Sequence, residues 1–409
     1  MILSNVPKLR FGEFEGEWEK TTLKQLLNKL IDCEHKTAPY IEDSKYYVIR
    51  TNNVKDGRLH YGDMKYTTEA GFNEWTKRDV PSIGDILFTR EAPAGESCLV
   101  PKNKMICLGQ RMVSLKPNLK KVKSSFLLWY LQSNIGRKKI QNFIIGTTVT
   151  RINIKDIYRV NISFSTLTEQ EKIATFLTSI DKKTEQLTQK KTLLESYKKG
   201  VMQKIFSQEL RFKRDDGGVF EDWEEKKLGD IAIFSKGKGI SKSDIIENGK
   251  IECIRYGELY THYNETISDI KSSTNLDIEN LILSQYNDVI IPASGETQID
   301  IATASCVLKD NIALSGDLNI IRTNENGVFL SYYLNSFKRF DIARLAQGVS
   351  VVHLYTSQLK QLKLNLPQME EQQKISNFLT SIDQKITQTT QQIEAMKSFK
   401  KGLLQQMFV

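Results

Sequence analysis

The hexapeptide FLTSID occupies residues 176–181 and, letter for letter, residues 378–383. Extended outward, LTEQEKIATFLTSIDKKTEQLTQKKTLLESYKKGVMQKIF (167–206) aligns without a gap to the segment ending at Phe408, at a constant offset of 202. Upstream, GTTVTRI (146–152) matches GVSVVHL (348–354), LRF at Leu9 matches LRF at Leu210, Trp18 matches Trp223, and VIRTNNV (48–54) matches CIRYGEL (253–259). The chain is therefore one unit of about 200 residues written twice, each copy a globular part followed by a long helix. This divides it at 1–165, 166–207, 208–365 and 366–409.

The helical segments are read from their period. Ile173, Leu177, Ile180, Leu187, Leu194, Val201 and Ile205 fall on one seam, with Thr184, Lys191 and Lys198 at its polar steps, and Ile375, Leu379, Ile382, Ile386, Ile393, Met396, Leu403 and Met407 repeat the pattern. Parallel pairing would stack Lys198 on Lys400 with Lys199 and Lys401 beside them, concentrating four cations in one layer. Antiparallel pairing separates them and lays their stems along Ile382 and Ile180, with the ammonium heads expected in water. An antiparallel coiled coil is thus expected, a rod with a globular part at each end. Those parts read as α+β: YYVIRTNNV, GDILFTR and RMVSLKP as strands and SSFLLWYLQSN and IGRKKIQNFI as helices, a pattern recurring in IECIRYGEL, NDVIIPA, LNIIRTN and FLSYYLNSF.

Charge is unevenly placed. Residues 1–165 carry 27 basic and 17 acidic side chains, whereas residues 208–365 carry 18 and 23, so a polyanion would meet the second globular part only through a local cluster. No apolar run approaches the ~18 residues that span a bilayer, and the N-terminal stretch lacks a secretory pattern, so a cytoplasmic protein is expected. Five cysteines without a CxxC argue for reduced thiols. The four histidines show no metal-ligand spacing, and the Glu224-Glu225-Lys226 run reads as a solvated charge cluster. No phosphate-cradling GxxxxGK[ST] and no NPPY or DPPY methylating motif is present.

This layout resembles the specificity subunit of type I restriction and modification systems. The family's P-x-x-E-Q-x-K-I entry to each helical spacer is similar to LPQMEEQQKI (366–375), and STLTEQEKI (165–173) keeps Glu169, Gln170, Lys172 and Ile173 without the proline. GDILFTR and NDVIIPASGE match the family's G-D-I-L strand, and GTTVTRI and GVSVVHL its G-S/T-x-x-x-x-I loop. The resemblance implies two target-recognition domains that read a bipartite, asymmetric sequence in double-stranded DNA, and a non-catalytic chain that holds two methyltransferase subunits and, through them, restriction and translocase subunits. No cofactor is expected in this chain; S-adenosylmethionine, ATP and Mg are expected on the partners. The competing reading is an antiparallel coiled-coil scaffold with two protein-binding heads.

Base contacts are expected where strands open into loops, from Arg towards guanine and Asn or Gln towards adenine. The first globular part offers Arg50, Asn52, Asn53, Arg90, Arg111, Thr148 and Arg151. The second offers Arg255, Tyr256, Ser294, Glu296, Gln298, Ser350 and His353, with Glu296 suited to accept from cytosine N4. Lys36, Lys55, Arg58, Lys65, Lys138 and Lys139 are expected on phosphates or a solvated face.

Overall fold

A computed structural model of the chain describes residues 5–348 and 351–409, so Ser350 lies outside the described residues. The chain divides into two compact units, Met1–Thr188 with Gln391–Val409, and Gln189–Thr390. Both mix helix and sheet.

The first unit is built on a four-stranded antiparallel sheet in the order Leu27–Asp32, Met112–Pro117, Ile86–Thr89, Ser97–Leu99. GDILFTR and RMVSLKP supply its two central strands, and Ile86 to Thr89 are all buried, as a strand covered on both faces requires. A smaller sheet places Tyr46–Ile49 between Lys65–Tyr66 and Met105–Leu108. Helix Ser124–Gln132 is nearly all buried. Ser133 ends it and caps the next helix, Asn134–Gln141, by accepting the Gly136 N–H on its hydroxyl.

The second unit carries a five-stranded sheet in the order Ala232–Lys236, Leu318–Thr323, Val289–Pro292, Ser305–Val307, Thr266–Ile267. FLSYYLNSF lies in helix Gly327–Ser336, capped by Asn326, whose side chain accepts the Phe329 N–H. The charged run Glu224–Lys227 is a strand paired with Lys363–Leu366, with Glu225 and Lys363 2.7 Å apart.

The long helices are Leu167–Phe206 and Met369–Gln406. They start at equivalent positions although only the second follows a proline. In the first, Thr166 Oγ1 accepts the Glu169 N–H at 3.4 Å, a cap that needs no proline. Each unit shows their antiparallel pairing by itself. In the first unit Ile173, Leu177 and Ile180 share a core with Leu403, Met407 and Phe408. In the second, Val201, Met202 and Ile205 share one with Ile375, Leu379 and Ile382. The N-terminal half of one helix meets the C-terminal half of the other in both.

The lysine heads do not reach water as the helix pattern suggests. Lys400 Nζ lies 2.7 Å from Asp181 and 4.5 Å from the centre of the Trp129 ring, and Lys198 Nζ lies 2.8 Å from Asp383, 3.0 Å from Glu265 and 5.0 Å from the centre of the Tyr332 ring. Burial alone would lower the Lys198 pKa, but the carboxylates of Glu265 and Asp383 outweigh it and hold the ammonium above its ordinary value. Within FLTSID the leucine and isoleucine are core, while the aspartate receives the first lysine of the partner helix's YKKG (197–200) or FKKG (399–402). The motif recurs because each copy is one half of an antiparallel lock.

A second lock joins each globular part to its spacer. Arg10 forks onto Glu169 at 2.7 and 2.8 Å while Trp18 Nε1 donates to the same carboxylate at 3.3 Å. Arg211 and Trp223 treat Glu371 identically, at 2.8, 2.9 and 3.2 Å. Glu169 and Glu371 are 1% and 0% exposed, so these hydrogen bonds are what permits their burial. The glutamine that follows each closes the helix start: Gln170 Nε2 donates to the Ser165 carbonyl and Gln372 Nε2 to that of Pro367. The E-Q of the motif is thus structural.

Candidate nucleic-acid interface

At one end of the first unit's main sheet, Asp32 closes its strand, Arg90 follows the strand Ile86–Thr89, and Arg111 precedes the strand Met112–Pro117. The register sets Val113 opposite both Asp32 and Phe88, which brings these three ends level. The Arg90 N–H donates to the Arg111 carbonyl at 2.8 Å, and the Ile152 N–H donates to the Arg90 carbonyl at 2.9 Å. Arg90, Arg111 and Arg151 therefore line one cleft of about 300 Å³, together with His35, Glu91 and Gln110. The sequence singled out all three arginines separately; the sheet assembles them.

Their guanidiniums are held differently. Arg90 Nη1 donates to Asp32 Oδ1 at 2.9 Å, while its Nε is buried without a hydrogen-bond partner among the described residues. Asp32 also faces His35 Nε2 at 3.1 Å. Arg111, at φ 69°, sits with Nε 2.8 Å from Glu91. Arg151 is exposed, with its backbone fixed by exchange of both hydrogen bonds with Ile145. The hairpin between them needs glycine at its start: Gly146 has φ 88°, and a Cβ there would stand 2.4 Å from the Val149 carbonyl oxygen. Thr148 is exposed on this hairpin, beside Val149, an exposed apolar tip that the sequence reading missed.

The second unit reproduces the backbone and changes the side chains. The Ala293 N–H donates to the Asp317 carbonyl at 2.8 Å and the Leu354 N–H to the Ala293 carbonyl at 3.0 Å, matching Arg90, Arg111 and Ile152. Lys236 stands opposite Asn319 as Asp32 stands opposite Val113. Ser294 pairs with His353, as Glu91 bridges Arg151, and His353 exchanges backbone hydrogen bonds with Gln347. Gly348 has φ 122°, and a Cβ there would lie 2.1 Å from the Val351 carbonyl oxygen. Glu296 and Gln298 are exposed in the following segment, Gln298 opening the short helix Gln298–Ile301. Lys236 and Asp317, both exposed, were missed because neither falls in a repeated motif.

The VIRTNNV and CIRYGEL loops form a further cluster in each unit, the first tied to the cleft's neighbourhood by Thr51 Oγ1, which donates to the Ala92 carbonyl at 3.2 Å. Asn53 is buried: its Oδ1 accepts the Arg50 N–H, and its Nδ2 donates to the carbonyls of His60 and Gly62. It shapes the loop and, contrary to expectation, presents no side chain to a groove, whereas Asn52 is exposed. Glu258 takes the same place, accepting the Arg255 N–H at 3.1 Å and lying 3.4 Å from Arg255 Nη2. Arg50 donates to Asp63, whose pKa it and Lys65 lower to about 2. Tyr256 is half-buried against the core. Of the expected phosphate contacts, Lys36, Lys55 and Lys138 are exposed, Arg58 and Lys65 face Asp181 and Asp63, and Lys139 is spent on the Tyr130 hydroxyl and ring. All five cysteines are buried and unbridged, with burial pushing Cys98, Cys107 and Cys306 up to about 12. Among the described residues no group of three His, Cys, Asp or Glu could hold a metal ion, and no helix is long and apolar enough to cross a membrane.

The family profile of the type I restriction modification DNA specificity domain matches residues 15–196 and again 220–397. This chain belongs to that family. Among similar specificity-family proteins, the putative type I restriction enzyme MjaX specificity subunit of Methanocaldococcus jannaschii is 26% identical, with 98% of this chain and 95% of that protein covered. The type I restriction enzyme MjaVIII specificity subunit of the same organism is 27% identical over 89% of this chain and 88% of its own length. The StySPI specificity subunit of Salmonella potsdam is 21% identical over 87% and 79%. The crystal structure of the S subunit from M. genitalium shares the fold, with a TM-score of 0.60, 17% identity and 99% of both chains covered. The two specificity domains and paired long helices are those of a type I specificity subunit.

Proposed function

We propose that this specificity subunit reads a bipartite, asymmetric sequence in double-stranded DNA, one half-site by the strand ends of each unit. The observation that carries this reading is that both strand-end sites sit on the same backbone frame but present different side chains. Arg90, Arg111 and Arg151 stand in one, and Ser294, Asp317 and His353 in the other, with Glu296 and Gln298 nearby. A shared frame docks both units on a duplex in the same way, and the differing side chains make the half-sites differ. Arg50, Asn52, Thr148, Arg255, Tyr256 and Ser350 complete the proposed contacts. The paired helices hold two methyltransferase subunits, which recruit restriction and translocase subunits. Methyl transfer and cleavage, with S-adenosylmethionine, ATP and Mg, belong to those partners. The domains take the bounds 1–165, 166–207, 208–365 and 366–409, in a cytoplasmic complex.

Co-expression with its methyltransferase subunits, followed by sequencing of the methylated positions, should return two unlike half-sites separated by a fixed gap. Replacing residues 1–165 by the equivalent domain of a relative should change one half-site alone. A change in both, or methylation without a defined target, would overturn the two-reader assignment.

A further inference from the structure

In the first unit, two carboxylates stand behind the arginines of the cleft. Asp32 holds Arg90 through one terminal nitrogen at 2.9 Å, and Glu91 lies 2.8 Å from Arg111 Nε. Neither Arg90 Nη2 nor either terminal nitrogen of Arg111 makes a hydrogen bond among the described residues. A guanidinium held at one nitrogen has lost much of its rotamer freedom before binding; Arg111, held at Nε, keeps both terminal nitrogens as a planar donor fork, and Arg90, held at Nη1 with Nε buried, keeps its Nη1–Nη2 end. That fork matches the O6 and N7 acceptors of guanine, the base for which arginine is best suited in the major groove. The acids themselves repel phosphate, so their place beside the arginines disfavours a purely backbone-contacting cleft. The second unit removes the arrangement: Lys236, Ala293, Ser294 and Asp317 replace Asp32, Arg90, Glu91 and Arg111 on the same frame.

We infer that Asp32 and Glu91 are positioning residues that pre-aim Arg90 and Arg111 at guanines of the first half-site, and that the strand-end site of the second unit reads its half-site without such arginines. This rests on the DNA-reading role proposed above for the cleft. It assigns a base class to one half-site and a specificity role to two acids that touch no base.

The test uses the full chain assembled with its methyltransferase subunits, on its mapped target. Duplexes carrying 7-deazaguanine, which lacks the N7 acceptor, at each guanine of the first half-site compete against the unmodified duplex. With the native chain, substitution at a contacted guanine should weaken binding roughly ten- to a hundredfold. In Asp32→Asn that penalty should shrink several-fold at one guanine, and in Glu91→Gln at another. Penalties in the second half-site and the dependence on salt should stay as they were. Glu91 is partly exposed, so E91Q decides the matter should D32N fail to fold. Both variants folded and retaining the full penalty would overturn the positioning role while leaving the cleft reading intact. A uniform loss across both half-sites would equally overturn it. A triple variant Arg90→Ala, Arg111→Ala, Arg151→Ala with unchanged target and affinity would instead remove the cleft reading itself.

Discussion

The two units of this chain agree where they meet their helices and disagree where their strands end. Each has an arginine and a tryptophan closing on a buried glutamate, a lysine reaching an aspartate of FLTSID, and a left-handed glycine opening a hairpin. At the cleft, an acid in one unit is a lysine in the other and an arginine is an aspartate. The difference separates two kinds of constraint. Buried polar groups must be satisfied by defined partners, so the locks tolerate little change. Exposed strand ends carry no such demand, and their side chains are free to follow a ligand.

The likeness of the locks is most severely tested by removing their glutamates. Glu169→Ala and Glu371→Ala should each cost about 3–5 kcal/mol, because the arginine and the indole N–H lose their shared acceptor. The loss should be larger for Glu169, since Arg10 is 13% exposed and Arg211 24%, and unfolding in urea would measure both. A negligible loss in one unit would mean that the repeated motif does different work in the two copies.

A smaller and unequal effect is expected at the lysines. Lys198→Met removes the cation shared by two carboxylates, leaving Asp383 only the Tyr332 hydroxyl, and should cost about 2–4 kcal/mol. Lys400→Met should cost about half that or less, because Asp181 keeps Arg58 at 3.5 Å. Equal losses would show that Arg58 does not substitute. Gly146→Ala and Gly348→Ala put a side chain at positive φ and against a backbone carbonyl oxygen, so each should cost at least roughly 1–2 kcal/mol, with the clash relieved by movement of the hairpin. Their larger effect is on function, since each displaces one hairpin. Gly146→Ala should weaken recognition of the first half-site alone and Gly348→Ala of the second, read by competition with singly altered targets.

Much of this was legible in the residues. The constant offset of 202 declared the duplication, and the seam period with its lysines declared antiparallel helices, because four cations in one layer would repel. The three arginines of the first cleft were each found from strand-end position. What escaped was partnership. Asn53 looks like an adenine reader in sequence and is a buried loop brace in the fold, and nothing local marks Asp32, 58 positions from Arg90, as its support.

By itself, then, the sequence determined everything that depends on periodicity and repetition: two α+β units, their helices, the direction of pairing and the places where strands open. Those follow from local preferences and from apolar spacing, which a linear reading contains. Only the tertiary structure decided which charges meet. The Lys198 head lies between Glu265 and Asp383 rather than in water, and Arg90 leans on Asp32, because strand register and helix packing bring together residues far apart in the chain. Once such groups are brought out of water, pairing is what makes their burial bearable, and no local pattern announces the partner.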